Sequence, residues 1–271
     1  MSAHLVPILF VLGAWWVSTC LVLKMVWLGP STVRLRVATA SVLAVLGLYG
    51  IRASSLVATN SAAYVAFVCA LLVWAWHELT FLLGIVTGPR KTSCPPDARG
   101  FRRFRYATAV VIHHELALAL TLLFVVAVTW GRPNQVGTWT YAVLWGMRLS
   151  AKLNVFLGVR NISEQFVPDH LRYMVSYFRR ARMNPLMPLS LLAASLVTIW
   201  IVGHTAPGDP VAASIFGTVA RTLVATILGL AVLEHLFLSL PVPDALLWRW
   251  AIRNEQRQAT ESPRNLRPEP R

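Results

Sequence analysis

Three glutamates lie inside apolar stretches of this sequence, and each has a histidine as its immediate neighbour: His77-Glu78, His113-His114-Glu115 and Glu234-His235. A carboxylate within a bilayer is costly unless it faces a partner, so these acids are the residues most open to chemistry. Imidazole nitrogens and carboxylate oxygens form the ligand sets of iron, zinc and manganese sites, and helical bundles hold di-metal centres by projecting such groups inward. The spacing departs from that pattern. The di-metal signature is Glu-x-x-His, with both groups on one helix face, whereas adjacent residues point about 100° apart. One member of each pair would ligate while the other supports it or faces a neighbouring helix. Arg148 and Lys152, at i and i+4, offer a second use for the acids. They would neutralise two glutamates, with the histidines completing a buried hydrogen-bond network that fixes helix packing. Ligation of a chlorin or haem metal by a histidine and a proton relay of the kind found in pumps are two further readings. The sequence leaves all four open.

The elements that must position these groups are membrane spans. With 271 residues, 56% hydrophobic and 13% charged, the chain has too few polar side chains to coat a soluble globule of its size. Apolar runs of the length needed to cross hydrocarbon occur near 5–28, 33–51, 57–86, 106–130, 136–157, 186–203 and 217–240. The expected fold is therefore an all-α polytopic bundle of about seven transmembrane helices, a single domain over 1–250. The first run lacks a basic leader and a small-residue cleavage site, which predicts a retained anchor.

Basic residues settle the expected orientation, because short Lys- and Arg-rich loops stay in the cytoplasm. Lys24, Arg34 and Arg36 flank the first turn. Arg90, Lys91, Arg99, Arg102, Arg103 and Arg105 fill the third, and Arg160, Arg172, Arg179, Arg180 and Arg182 the fifth. The amino terminus is expected in the periplasm and the carboxyl terminus in the cytoplasm. At 1.5 Å per residue, Glu115 then lies roughly 14 Å, and Glu78 and Glu234 roughly 10 Å, from the basic ends of their spans. Three helices thus carry His/Glu pairs into one leaflet. Arg148, Lys152 and Asn154 of the fifth span lie towards the same side, with Glu164, Asp169 and His170 just beyond it.

Two stretches are neither span nor simple loop. Pro168 precedes Leu171, Val175 and Phe178 at i, i+4 and i+7, which predicts an interfacial amphipathic helix near 168–180. Residues 251–271 alternate Arg and Glu with Pro and Gln and have almost nothing apolar to bury, which predicts a disordered basic cytoplasmic tail. The three cysteines form neither a disulfide framework nor a metal knuckle. No phosphate-binding loop or nucleophile elbow is present. The excess of 25 Lys+Arg over 11 Asp+Glu on so apolar a chain points to anionic lipid rather than nucleic acid.

Particular strings carry more than composition does. Trp76-His77-Glu78-Leu79, Thr87-Gly88-Pro89-Arg90-Lys91, Phe104-Arg105-Tyr106-Ala107-Thr108, His113-His114-Glu115-Leu116, and Ser150 through Asn161 to Pro168-Asp169-His170-Leu171-Arg172-Tyr173 resemble the PuhE-type photosynthetic complex assembly proteins. The resemblance covers roughly residues 70–190. It implies an inner-membrane accessory factor of phototrophic bacteria, associated with assembly of the reaction centre and core antenna and with bacteriochlorophyll supply. The partners it implies are reaction-centre or core-antenna subunits and pigment-synthesis proteins, beside the lipids themselves. It carries over no catalytic residues. Bacteriochlorophyll or a precursor joins the transition metals as a candidate cofactor. One departure is Glu164 followed by Gln165, where the family pattern has two adjacent acids. The alternatives are a membrane-embedded metal-dependent enzyme acting on a tetrapyrrole or other lipophilic substrate, and a proton-coupled carrier.

Overall fold

The computed structural model describes residues 2–162, 164, 167–203 and 214–240; the tail expected over 251–271 lies outside them. Each predicted span is a helix: α1 (Ser2–Trp27), α2 (Val33–Ser54), α3 (Asn60–Leu82), α4 (Gly100–Thr129), α5 (Val136–Leu157), α6 (Leu186–Gly203) and α7 (Ile215–Ser239). Among the described residues, all of these but α5 are long and apolar enough to cross a membrane. The exception carries Arg148, Lys152 and Asn154, the groups that lower its hydropathy. It nevertheless runs the full height of the bundle. Next to its start, the Asn134 amide donates to Ser54 O at 3.0 Å, and just past its end Asn161 N donates to Leu238 O at 3.1 Å.

Helix starts are fixed by local chemistry. Thr59 Oγ1 accepts from Ala62 N at the head of α3, and Ser214 Oγ accepts from Gly217 N at the head of α7, each satisfying a donor the helix leaves open. Asn184 Oδ1 accepts from Leu186 N and Met187 N at the head of α6.

The centre of the bundle is α3. Its small residues Ala63, Ala66 and Ala70 are fully or almost fully buried, and α2 meets it through glycines. A β-carbon on Gly47 would stand 2.9 Å from Cys69 O. Small residues at such seams let helix backbones approach where no hydrophobic force separates protein from lipid. Val11, Phe67, Phe216, Leu223 and Ile227 join α1, α3 and α7 in one core cluster, and Ile51, Val73, Leu118 and Tyr141 form a second.

Beneath the spans, the segment expected as an amphipathic α-helix is instead a 3-10 helix, Asp169–Tyr177. Its buried residues are Leu171, Met174 and Tyr177 rather than Leu171, Val175 and Phe178. At three residues per turn, positions i, i+3 and i+6 line up, which moves the apolar stripe. These side chains pack on Phe81 of α3 and Val110 of α4. Arg103 fastens the same layer, donating to Phe156 O at 3.2 Å and Tyr177 O at 2.7 Å.

Candidate functional site

The site is organised by α5. Trp145, Arg148 and Lys152, at i, i+3 and i+7, share one helix face. Arg148 donates to Glu78 Oε2 at 2.9 Å, and Lys152 Nζ donates to Glu115 Oε1 at 2.6 Å. The Trp145 indole donates to Glu115 Oε2 at 3.1 Å, and Lys152 Nζ stands 5.0 Å from the Phe81 ring centre. Glu234 forms no ion pair with Arg148 or Lys152 among the described residues. Glu234 itself lies on an exposed part of α7. Two acids from two helices, Glu78 and Glu115, are therefore paired with the two cations of a third, so their charge is compensated within the chain.

The histidines divide. His77 is buried, with Nε2 3.0 Å from Thr121 Oγ1 and its ring centre 6.4 Å from that of His114. His114 is fully buried, its ring tilted over Phe81 at 4.4 Å. Neither His114 nitrogen has a hydrogen-bond partner, and His77 Nδ1 and Glu78 Oε1 are also unpartnered. Such orphaned polar atoms each cost about 1–3 kcal/mol. They are the unused donor and acceptor capacity of the site. His113, one residue from His114 and so about 100° round α4 from it, is exposed and does not join the group.

A second network occupies another face of α5. His235 Nε2 meets Ser150 Oγ at 3.0 Å and its Nδ1 meets Ala231 O at 2.9 Å. Ser150 Oγ meets Ser190 Oγ at 3.0 Å, and the Asn154 amide donates to Ser150 O at 3.0 Å. Asn184 closes the set by donating to Asn154 O and to Gly158 O, at 3.2 and 2.8 Å. His235 thus ties α7 to α5 and α6 apart from the other two histidines.

The residues expected just beyond α5 stand apart as well. Glu164 pairs with Arg180 and Asp169 with Arg172, each at 3.0 Å and largely exposed. His170 Nε2 lies 3.0 Å from Leu82 O, at the end of α3. Among the described residues, no group of three or more His, Cys, Asp or Glu side chains comes together to hold a metal ion.

A turn between α3 and α4 holds this site from below. Thr87 O accepts from His114 N at 3.0 Å, and Arg90 N donates to Ala109 O at 3.1 Å. Between them Gly88 touches the helix backbone, since a β-carbon there would stand 2.2 Å from Ala109 O. Arg90 then donates to the Tyr177 hydroxyl at 2.7 Å and lies 4.4 Å from the Tyr106 ring centre.

Sequence reasoning missed Trp145, Thr121, Ser150, Ser190 and Asn184. Trp145 had a signal, because it sits on the face of Arg148 and Lys152. Ser150 lies one turn before Asn154, and Asn184-Pro185 before an apolar run marks a helix start. Thr121 and Ser190 gave none, being common residue types on apolar helices.

Comparison with known proteins places these residues in context. The profile of the family described as "Protein of unknown function (DUF3623)" matches residues 1–259. A Rhodobacter capsulatus protein described as "Uncharacterized 30.4 kDa protein in puhA 5'region" is 40% identical over 190 residues, covering 70% of this chain and 68% of its own length. No solved structure matches the chain.

Proposed function

The chain belongs to the DUF3623 family, and from that membership we propose that it is an inner-membrane accessory factor of the PuhE type, serving assembly of the photosynthetic reaction centre and core antenna and the supply of bacteriochlorophyll. The observation that carries this reading is the relative at 40% identity whose description locates it in the puhA 5′ region. The resemblance of residues 70–190 to photosynthetic complex assembly proteins points the same way. The site supports an accessory role because the carboxylates Glu78 and Glu115 are bound to cations of the same chain, which fixes the bundle without requiring a substrate. Its partners in this reading are reaction-centre or core-antenna subunits and pigment-synthesis proteins.

Deletion of the gene in its phototrophic host tests the proposal. Membranes from the deletion strain should lose several-fold in reaction-centre and core-antenna absorbance per unit membrane protein, and plasmid-borne wild type should restore it. Unchanged absorbance in the deletion strain would overturn the reading.

A further inference from the structure

The core cluster shared by α1, α3, α5 and α7 includes Leu71, with Trp15, Leu144 and Leu230 packed against it. The positions that follow on the same helix faces, towards the basic end of the bundle, are charged. Arg148 comes four residues after Leu144, Glu234 four after Leu230, and Glu78 seven after Leu71. A closed apolar core is thus succeeded by a charged layer.

Helix phase shows which way that layer points. At 100° per residue, Arg148 lies within roughly 40° of Gly137, Tyr141 and Leu144 and roughly 160–180° from Trp139, Gly146 and Leu157. Gly137 and Tyr141 are buried and Leu144 packs on the core, whereas Trp139, Gly146 and Leu157 are exposed. Arg148 therefore points into the bundle, and yet its side chain is 43% exposed. Glu234 repeats the combination, being exposed although it lies within roughly 20° of the buried Leu223 and Ile227. Inward side chains with open surface beneath a closed core mean a crevice between the helices, not a face turned to lipid.

Arg148 is nine residues, about 14 Å, before the end of α5, a depth at which a charge needs a partner, water or a ligand. It spends Nη2 on Glu78, while Nε and Nη1 have no hydrogen bond to the described residues and are not enclosed. Glu234 does not claim that free edge, since it forms no ion pair with Arg148. A guanidinium edge with two parallel N–H groups matches a carboxylate.

We propose that this crevice binds the carboxylate of a lipophilic monoanion on the free edge of Arg148. The apolar body of the ligand lies against Trp15, Leu144 and Leu230, and Arg105, Arg160, Arg179 and Arg182, exposed at the basic end, draw the anion towards the opening. A phosphate fits less well, because its second charge would face Glu234 and Glu78. An ammonium group would meet Arg148 itself. The inference goes beyond the assembly reading and does not depend on it.

Photolabelling of the full chain in phosphatidylcholine nanodiscs with a diazirine-bearing hexadecanoic acid tests it, with the labelled peptides mapped by mass spectrometry. Wild type should show saturable labelling on α5 and α7, displaced by hexadecanoate at least tenfold more effectively than by hexadecanol, hexadecyl phosphate or hexadecylamine. Arg148→Gln alone strands Glu78, so the variant of choice is Glu78→Gln with Arg148→Gln, which removes both charges together. It should stay monodisperse and lose the saturable labelling. Glu115→Gln with Lys152→Met, neutralised in the same way one turn along α5, should keep it. No saturable labelling of wild type, equal displacement by hexadecanol, or undiminished labelling of the monodisperse Arg148 variant would each overturn the site. Equal loss in both paired variants would overturn it as well, because the effect would then not belong to Arg148. A normal deletion strain with intact labelling removes only the assembly reading, whereas a deletion phenotype without labelling removes only this site.

Discussion

Lys152 and Glu115 meet at 2.6 Å with side chains 23% and 13% exposed, and the Trp145 indole holds the second carboxylate oxygen. Removing one member of such a pair strands the other charge in a low-dielectric setting, at a cost of about 3–5 kcal/mol, whereas replacing both by uncharged groups of similar shape costs far less. Lys152→Met and Glu115→Gln should each lower the unfolding temperature of the purified protein, and the double variant should recover most of the loss. Additive losses in the double variant would show that the two side chains contribute independently. The sequence already pointed to this pairing, because buried acids on two helices and cations spaced i, i+4 on another have few other ways to be neutralised. It did not reveal azimuth. His113 and His114 are equivalent as text, and only the neighbours that α3 and the turn at Thr87 supply decide that His114 faces the core and His113 faces outward.

At the scale of elements, hydropathy located the helices well because each must bury or present about 20 apolar residues to lipid. The ends shifted where polar residues extend a helix past the apolar run: α4 begins at Gly100, adding a turn and a half rich in Arg and Phe. Periodicity misread the segment after Pro168, since a 3-10 helix buries Met174 where an α-helix would bury Val175. The turn over Gly84–Arg90 was invisible for a different reason. It is held through backbone groups, which leave no side-chain pattern, and Gly84, Gly88 and Pro89 mark a loop without showing that it packs on α4. A β-carbon at Gly88 would stand 2.2 Å from Ala109 O and 2.5 Å from Val110 C, so Gly88→Ala must push the turn off α4. Limited trypsin digestion should then cut at Arg90 and Lys91 several-fold faster than in wild type. Gly13→Ala, where nothing lies within 4 Å, serves as the control. Equal cleavage in Gly88→Ala and wild type would mean that the turn is not held by this contact.

For the whole molecule, the contacts establish an alternating path. Asn134 joins the ends of α2 and α5 on one side, and on the other Arg103 joins α4 to the end of α5 while Asn161 reaches the end of α7. The basic loops after α3 and α5 therefore lie at the same end of the bundle. The retention of short Lys- and Arg-rich loops in the cytoplasm predicts that this end is cytoplasmic and that the exposed connection after α2 is outside. Cysteine labelling tests the assignment, using Cys94 in the third loop after Cys20→Ala and Cys69→Ala remove the thiols within spans. A membrane-impermeant maleimide should leave Cys94 unlabelled in spheroplasts and label it once the membrane is opened. Ala58→Cys, in the exposed turn between α2 and α3 and in a background lacking Cys94, should label in spheroplasts. The reverse pattern would invert the protein in the membrane. Labelling of both positions from one side would break the alternation, because α3 would then fail to cross, and with it the shared leaflet in which Glu78 and Glu115 meet the two cations of α5.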